Sequence, residues 1–290
     1  MPSVKEPKLN DTLEADLYAH SGHAQVLAGP DAYNDKEAVA FFKENGYLAI
    51  ADVYNEQEVD DAKQALDELI IRRYKELTGL QVETADDGSL SAPKDKPDAP
   101  DPAVMMASVR KLNDITTADA RIERMLHHPL MMKVVEQLAG EKVVKFQEMS
   151  LLKPPGGREK PWHQDHAYFN VDNSKHIIGV WIALDEAIAA NGCMHILPGK
   201  HLEPYIHFSK RDWQICDETI HKINQECKAV PLKPGGVLFF DSYLPHGTPT
   251  NNTKLRRRAV QLHFQPASTG AIENDERQAI WGAGGKDVEC

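Results

Sequence analysis

Residues 235–247, Gly235-Gly236-Val237-Leu238-Phe239-Phe240-Asp241-Ser242-Tyr243-Leu244-Pro245-His246-Gly247, decide the fold class. The apolar run Val237–Phe240 starts after Gly-Gly and stops at Asp-Ser. It is too short for a buried helix, its residues are aromatic or branched, and turn formers bound it, so it reads as a strand buried on both faces. Working outward, the same texture recurs in KFQEMSLLKPPGG (145–157), HIIGVWIALDEA (176–187), CMHILPGKH (193–201) and RRAVQLHFQPA (257–267). Short apolar strands separated by Gly, Pro and Asn predict an antiparallel jelly roll or barrel over about 143–265 rather than a βαβ fold. No internal repeat, G-x-G-x-x-G, Walker A, G-x-S-x-G or H-E-x-x-H motif interrupts it.

The N-terminal half has helical periodicity instead. Asn34 with Glu37, and Asn55 with Glu58, have capping-box spacing, in which each side chain satisfies an orphan amide at a helix start. The first helix is expected to run to Asn45 and stop at Gly46, ahead of a short strand Tyr47–Ile50. Val59, Ala62, Leu66, Leu69, Ile70 and Leu77 form one apolar stripe on a second helix ending at Gly79, and 119–126 and 129–139 read as two more. Segment 83–102, with four prolines and six acidic residues, has little to bury and reads as a surface loop or mobile lid. The expected organisation is an N-terminal arm (1–33), one domain (34–270) with a helical scaffold at 34–140, and a C-terminal tail (271–290).

Composition excludes several classes. The 290 residues carry 33 Lys+Arg against 44 Asp+Glu, a net charge of −11, which disfavours nucleic acid or an anionic membrane surface as partner. No apolar run approaches the roughly 18 residues of a membrane helix. The first residues have no apolar signal core, and the final ones, Asp287-Val288-Glu289-Cys290, carry no peroxisomal address. The four cysteines (193, 216, 227, 290) form no C-x-x-C pair and read as reduced thiols of a cytoplasmic protein.

Chemistry concentrates in Pro161-Trp162-His163-Gln164-Asp165-His166. Residues two apart on a strand face the same way, so His163 and Asp165 can present a nitrogen and an oxygen to one point. A third ligand is required, and His246, just past the strand ending at Phe240, is the candidate. Two His and one carboxylate with other positions open form the facial triad of non-haem Fe(II) oxygenases. By itself H-x-D is a short pattern, and Asp165 alone reads as a turn residue. Two features strengthen the metal reading: Pro-His-Gly at 245–247 and the basic run Lys254-Leu255-Arg256-Arg257-Arg258. On a strand Arg257 shares a face with Ala259, Gln261 and His263, while Arg256 and Arg258 face away. An inward guanidinium requires an anion, and its fork matches a carboxylate such as the distal one of 2-oxoglutarate. The alternative is a solvated basic run.

These pieces together resemble the phytanoyl-CoA dioxygenase family of Fe(II)/2-oxoglutarate-dependent oxygenases. The matching motifs are K-P-P-G (153–156), H-Q-D (163–165), V-W-I-A (180–183), N-G-C-M-H-I-L-P-G-K-H (191–201), P-G-G-V-L-F-F (234–240), P-H-G (245–247) and R-R-A (257–259), in order over about 35–265. The resemblance implies a mainly β protein with flanking helices, a double-stranded β-helix of the cupin-like jelly-roll type. It implies His163, Asp165 and His246 as iron ligands and Arg257, eleven positions after His246, as the partner of the 2-oxoglutarate tail. Gln164, Trp181 and Met149 would line the co-substrate pocket, and Lys111 would reach it. The cofactors implied are Fe(II), 2-oxoglutarate and O2, with ascorbate stimulating. Related halogenases have a small residue in place of the carboxylate ligand, so Asp165 points to hydroxylation. The partner is then a small-molecule substrate. Arg158, Lys160, His166 and Lys175 suggest an anionic one, against Glu159 and Asp172. The sequence does not specify an oligomeric state. Competing readings are a metal-binding jelly-roll sensor or carrier and a Zn-dependent hydrolase.

Overall fold

Asn34 and Asn55 start helices as their spacing predicts. The Asn34 side chain accepts the backbone N–H groups of Lys36 and Glu37, and Gly46 closes the helix in the left-handed conformation at φ 76°. At Asn55 the box is reciprocal, with Glu58 accepting from the Asn55 N–H. The structure is a computed structural model that describes residues 16–77, 101–209 and 211–283.

The elements in chain order are α1 (Asp35–Asn45), β1 (Tyr47–Ile50), α2 (Glu56–Arg73), α3 (Pro102–Ser108), β2 (Lys111–Asn113), α4 (Ala120–Leu126) and α5 (Pro129–Ala139). There follow β3 (Val143–Lys153), β4 (Lys160–His163), β5 (Ile178–Ala183), β6 (Met194–Ile196), β7 (His207–Ser209), β8 (Trp213–Ile215) and α6 (Asp217–Ile223). The chain continues with β9 (Lys228–Val230), β10 (Val237–Asp241), β11 (His246–Thr248), β12 (Arg257–Pro266) and α7 (Asn274–Trp281). Helix α2 stops at Arg73, before the expected Gly79, and passes into a 3-10 turn over Tyr74–Glu76.

A six-stranded sheet (β1-β10-β5-β12-β3-β2) faces a four-stranded one (β4-β11-β6-β9), and all the pairings are antiparallel. Alternation sorts each strand of the large sheet. Leu48, Val180, Ile182, Phe239, Val260 and Leu262 face the helices with Leu66, Leu69, Ile70, Val134 and Val135. Trp181, Ala183, Leu238, Phe240 and Ala259 face inward against Met194, Ile196, Ala229 and Val230 of the small sheet. These two apolar layers, one under the helices and one between the sheets, make the mainly β jelly roll with flanking helices.

Three expectations about the flanks change. The part of the arm at 16–33 is fastened down: Leu17 and Tyr18 are buried, Tyr18 stacks on Trp162 at 5.5 Å, and the Trp162 indole donates to the Leu17 carbonyl at 2.9 Å. Parallel bridges His23↔Ala229 and Leu27↔Ile50 carry this strap across both sheets. The tail contains α7, whose Trp281 is fully buried against Tyr243 and His166, while Arg277 donates to the Ala167 carbonyl at 2.7 Å. Of the proline-rich segment, 83–100 lie outside the described residues. Pro102 opens α3 rather than extending a loop, because Asp101 caps the Ala103 N–H at 2.8 Å and proline suits a first helical turn.

Candidate metal centre

Pairing of β4 with β11 brings His163 opposite His246. Asp165 follows two residues on, not on the strand but as the first residue of a 3-10 turn (Asp165–Tyr168). One ligand atom from each of the three residues lies within 4.8 Å of the others, and all three residues are buried. His163 Nε2 is 3.3 Å from Asp165 Oδ1, and His246 Nε2 is 3.5 Å from the same oxygen.

The remaining atoms are bonded away from that point. His163 Nδ1 meets the Pro161 carbonyl at 2.7 Å and His246 Nδ1 meets the Leu244 carbonyl at 2.9 Å. A carbonyl can only accept, so both Nδ1 atoms carry the proton and both Nε2 atoms keep a lone pair. Asp165 Oδ2 receives His263 Nε2 at 2.8 Å and Gln261 Nε2 at 3.2 Å. Asp165 Oδ1 is buried and has no hydrogen-bond partner among the described residues. Two lone pairs and one carboxylate oxygen thus converge without a proton between them, which suits a divalent borderline cation with further positions open. Burial would raise the Asp165 pKa, but the neighbouring imidazoles of His246 and His263 hold it well below the usual range. Burial, helped by His246, lowers His163 to about 4.

On β12, Arg257 faces inward and its neighbours face out. Arg258 is bidentate to Asp185 (2.8 and 2.9 Å) and reaches Asp67 at 3.0 Å; Arg256 meets Asp67 at 3.2 Å. The Arg257 guanidinium lies 5.4 Å from the Trp181 ring centre, and its Nε and Nη1 are buried with no partner among the described residues. Burial lowers its pKa to about 10. Its cross-strand partner Lys153, also buried, donates to the Thr248 hydroxyl (2.7 Å) and to the carbonyls of Thr248 (3.2 Å) and Pro249 (2.6 Å). Met149 is buried opposite Gln261, and half-buried Lys111 pairs with Leu151 on the edge strand β2.

Gln164 does not line this pocket. Its amide donates to the carbonyls of Tyr243 (2.6 Å) and Glu203 (2.9 Å) and accepts the Tyr205 N–H (2.8 Å). The alternation that turns His163 inward turns Gln164 outward, where it ties loops 203–205 and 241–245 together. The basic residues read as an anion site are largely engaged elsewhere. Lys160 pairs with Asp212 at 2.7 Å, Lys175 with Glu141 at 3.3 Å, and His166 is buried against Ser242 at 3.0 Å. His263 and Gln261, which meet Asp165 Oδ2, were not singled out from sequence, although both alternate in phase with Arg257.

The profile of the phytanoyl-CoA dioxygenase family matches residues 42–259. The chain is 28% identical over 261 residues to the peroxisomal phytanoyl-CoA dioxygenase of Homo sapiens, covering 83% of this chain and 73% of that protein. It is 32% identical over 139 residues to the methylphosphonate hydroxylase of Gimesia maris, covering 48% of this chain and 51% of that protein. In three dimensions it is similar to EctD from S. alaskensis, solved with 2-oxoglutarate and 5-hydroxyectoine, at a TM-score of 0.64 and 20% identity over 92% of this chain and 86% of that one. That last likeness speaks to the jelly-roll fold.

Proposed function

The chain belongs to the phytanoyl-CoA dioxygenase family, and from that premise we propose that it is a Fe(II)/2-oxoglutarate-dependent dioxygenase that hydroxylates a small organic substrate with release of succinate and CO2. The observation carrying this reading is the convergence of His163 Nε2, His246 Nε2 and Asp165 Oδ1 with no proton among them. Bound there, Fe(II) supplies the activation of O2 and the oxidative decarboxylation of 2-oxoglutarate.

The protein's own residues hold, orient and exclude water. His163, Asp165 and His246 are the proposed ligands. The unpaired Arg257 is the proposed fork for the distal carboxylate, an assignment supported by its orphan Nε and Nη1 and by the full engagement of Arg256 and Arg258 with acids. Arg257 lies four residues before Gln261 on the same face, roughly 13 Å of strand. A five-carbon diacid together with the arginine side chain can bridge that gap. Trp181 backs the guanidinium with its ring face. Met149 supplies an apolar wall, and Lys111 stands at the sheet edge facing the same interior. Within the single domain proposed for 34–270, the helices support the large sheet.

The test is succinate release with Fe(II), 2-oxoglutarate and ascorbate. An oxygenase shows slow turnover without its primary substrate, whereas a Zn hydrolase or a carrier produces no succinate. A panel containing phytanoyl-CoA, methylphosphonate and 2-aminoethylphosphonate, each named for a relative, would identify the substrate by accelerated turnover and test its anionic character. A cytoplasmic location is proposed from the free thiols of Cys193, Cys216 and Cys227. Among the described residues no helix is long and apolar enough to cross a membrane.

A further inference from the structure

We propose that His263, assisted by Gln261, is a positioning residue that fixes Asp165 as a one-oxygen ligand. The proposal rests on the metal reading above and extends it to residues outside the proposed ligand set. His263 Nε2 at 2.8 Å and Gln261 Nε2 at 3.2 Å both meet Asp165 Oδ2, and the two nitrogens lie 3.2 Å apart because they converge on one oxygen. Oδ1 is left as the free oxygen, the one 3.3 and 3.5 Å from the two imidazole nitrogens. A carboxylate free to rotate can offer both oxygens to a cation and so fill one of the positions a bidentate co-substrate and O2 require. Occupying Oδ2 with two donors removes that option.

The clamp is itself locked in place. Its cross-strand partner on β5 is Gly179, the residue whose missing Cβ makes room for the Phe240 ring; a Cβ there would lie 2.3 Å from that ring. Phe240 and Phe169 meet the His263 ring in T-shaped contacts, with ring centres 6.3 and 5.3 Å away. Directly after His263 the β12–β3 register shifts, as His263 faces Gln147 and Phe264 faces Lys145. Such bulges re-aim side chains beside active sites.

The test is Co2+ titration of the metal-free full chain, followed by visible absorption, for wild type, H263F, H263Q, Q261L and D165A. His263→Phe keeps the aromatic shape without the donor and should weaken Co2+ binding about 10–100-fold, the usual effect of losing an outer partner of a metal ligand. The cobalt spectrum should change, and the KM for 2-oxoglutarate at saturating Fe(II) should stay as in wild type. His263→Gln restores an N–H donor and should recover most of the affinity. Wild-type binding and spectrum in H263F, with binding lost in D165A, overturns the clamp and leaves the metal centre standing. Failure of H263Q to recover what H263F loses also overturns it, because the role would then be packing. If D165A itself binds as wild type, the metal reading falls. Should H263F not fold by circular dichroism, Gln261→Leu decides: a several-fold loss supports the clamp and no loss overturns it.

Discussion

At the metal centre, every ligand-residue atom not aimed at the shared point already has a partner, whereas on the facing inner side of the large sheet Arg257 keeps two buried N–H groups without one among the described residues. The first arrangement is a set of acceptors held rigid before the ion arrives. The second is a donor fork backed by the Trp181 ring, and a bound anion would offset its desolvation. The difference teaches that the two proposed sites are prepared in opposite ways: the metal site by bracing acceptors from both sheets, with His163 and His246 on the small one and His263 and Gln261 on the large one, and the co-substrate site by leaving a donor unmatched.

Substitutions can break that division. The largest effect is expected for Asp165→Ala or His246→Ala, which should abolish metal-dependent succinate formation while circular dichroism stays as in wild type. Next comes Arg257→Ala. Removing one partner of a buried charge pair costs about 2 kcal/mol or more, at least about thirtyfold in KM for 2-oxoglutarate, with metal affinity unchanged. Arg257→Lys should recover only part of it, since an ammonium cannot fork. A normal KM in R257A would move the assignment to another cation.

A pH series sharpens the comparison. Burial keeps His195 near a pKa of about 4 and His207 near about 3, and His163 is lowered to about 4. The unfolded chain takes protons on these groups from about pH 6.5, the native protein only near those lower values. Stability of the metal-free protein should therefore fall as pH drops from about 6.5 towards 4, by about 1.4 kcal/mol per unit for each such group. A flat unfolding midpoint over that range would contradict it. A smaller loss, about 1–3 kcal/mol, is expected for Gly179→Ala, which forces Phe240 off His263 and His246. The smallest is Arg258→Ala, about 1 kcal/mol in stability by denaturant titration with no change in KM, since that arginine serves Asp185 and Asp67 outside the barrel.

Much of this was legible in the residues. Capping asparagines, terminal glycines and the apolar stripe located the helices α1, α2, α4 and α5, because those signals are local. Alternation separated Arg257 from its two neighbours. The same rule, carried one residue further at His163, turns Gln164 away from the pocket, and along β12 it puts Gln261 and His263 beside Arg257. The strap at 16–33 and α7 were not legible, because their order comes from single anchors such as Tyr18 on Trp162 and Trp281 on Tyr243 rather than from a repeating pattern.

That strap has a practical consequence. It seals the rear of β4 and β11, where a Cβ on Gly247 would already press on the Tyr18 ring at 3.2 Å, yet it precedes residue 42, where the family match starts. A version trimmed to the shared stretch would keep all three proposed ligands and still bare the indole of Trp162 to water, loosening from behind the strand that presents His163.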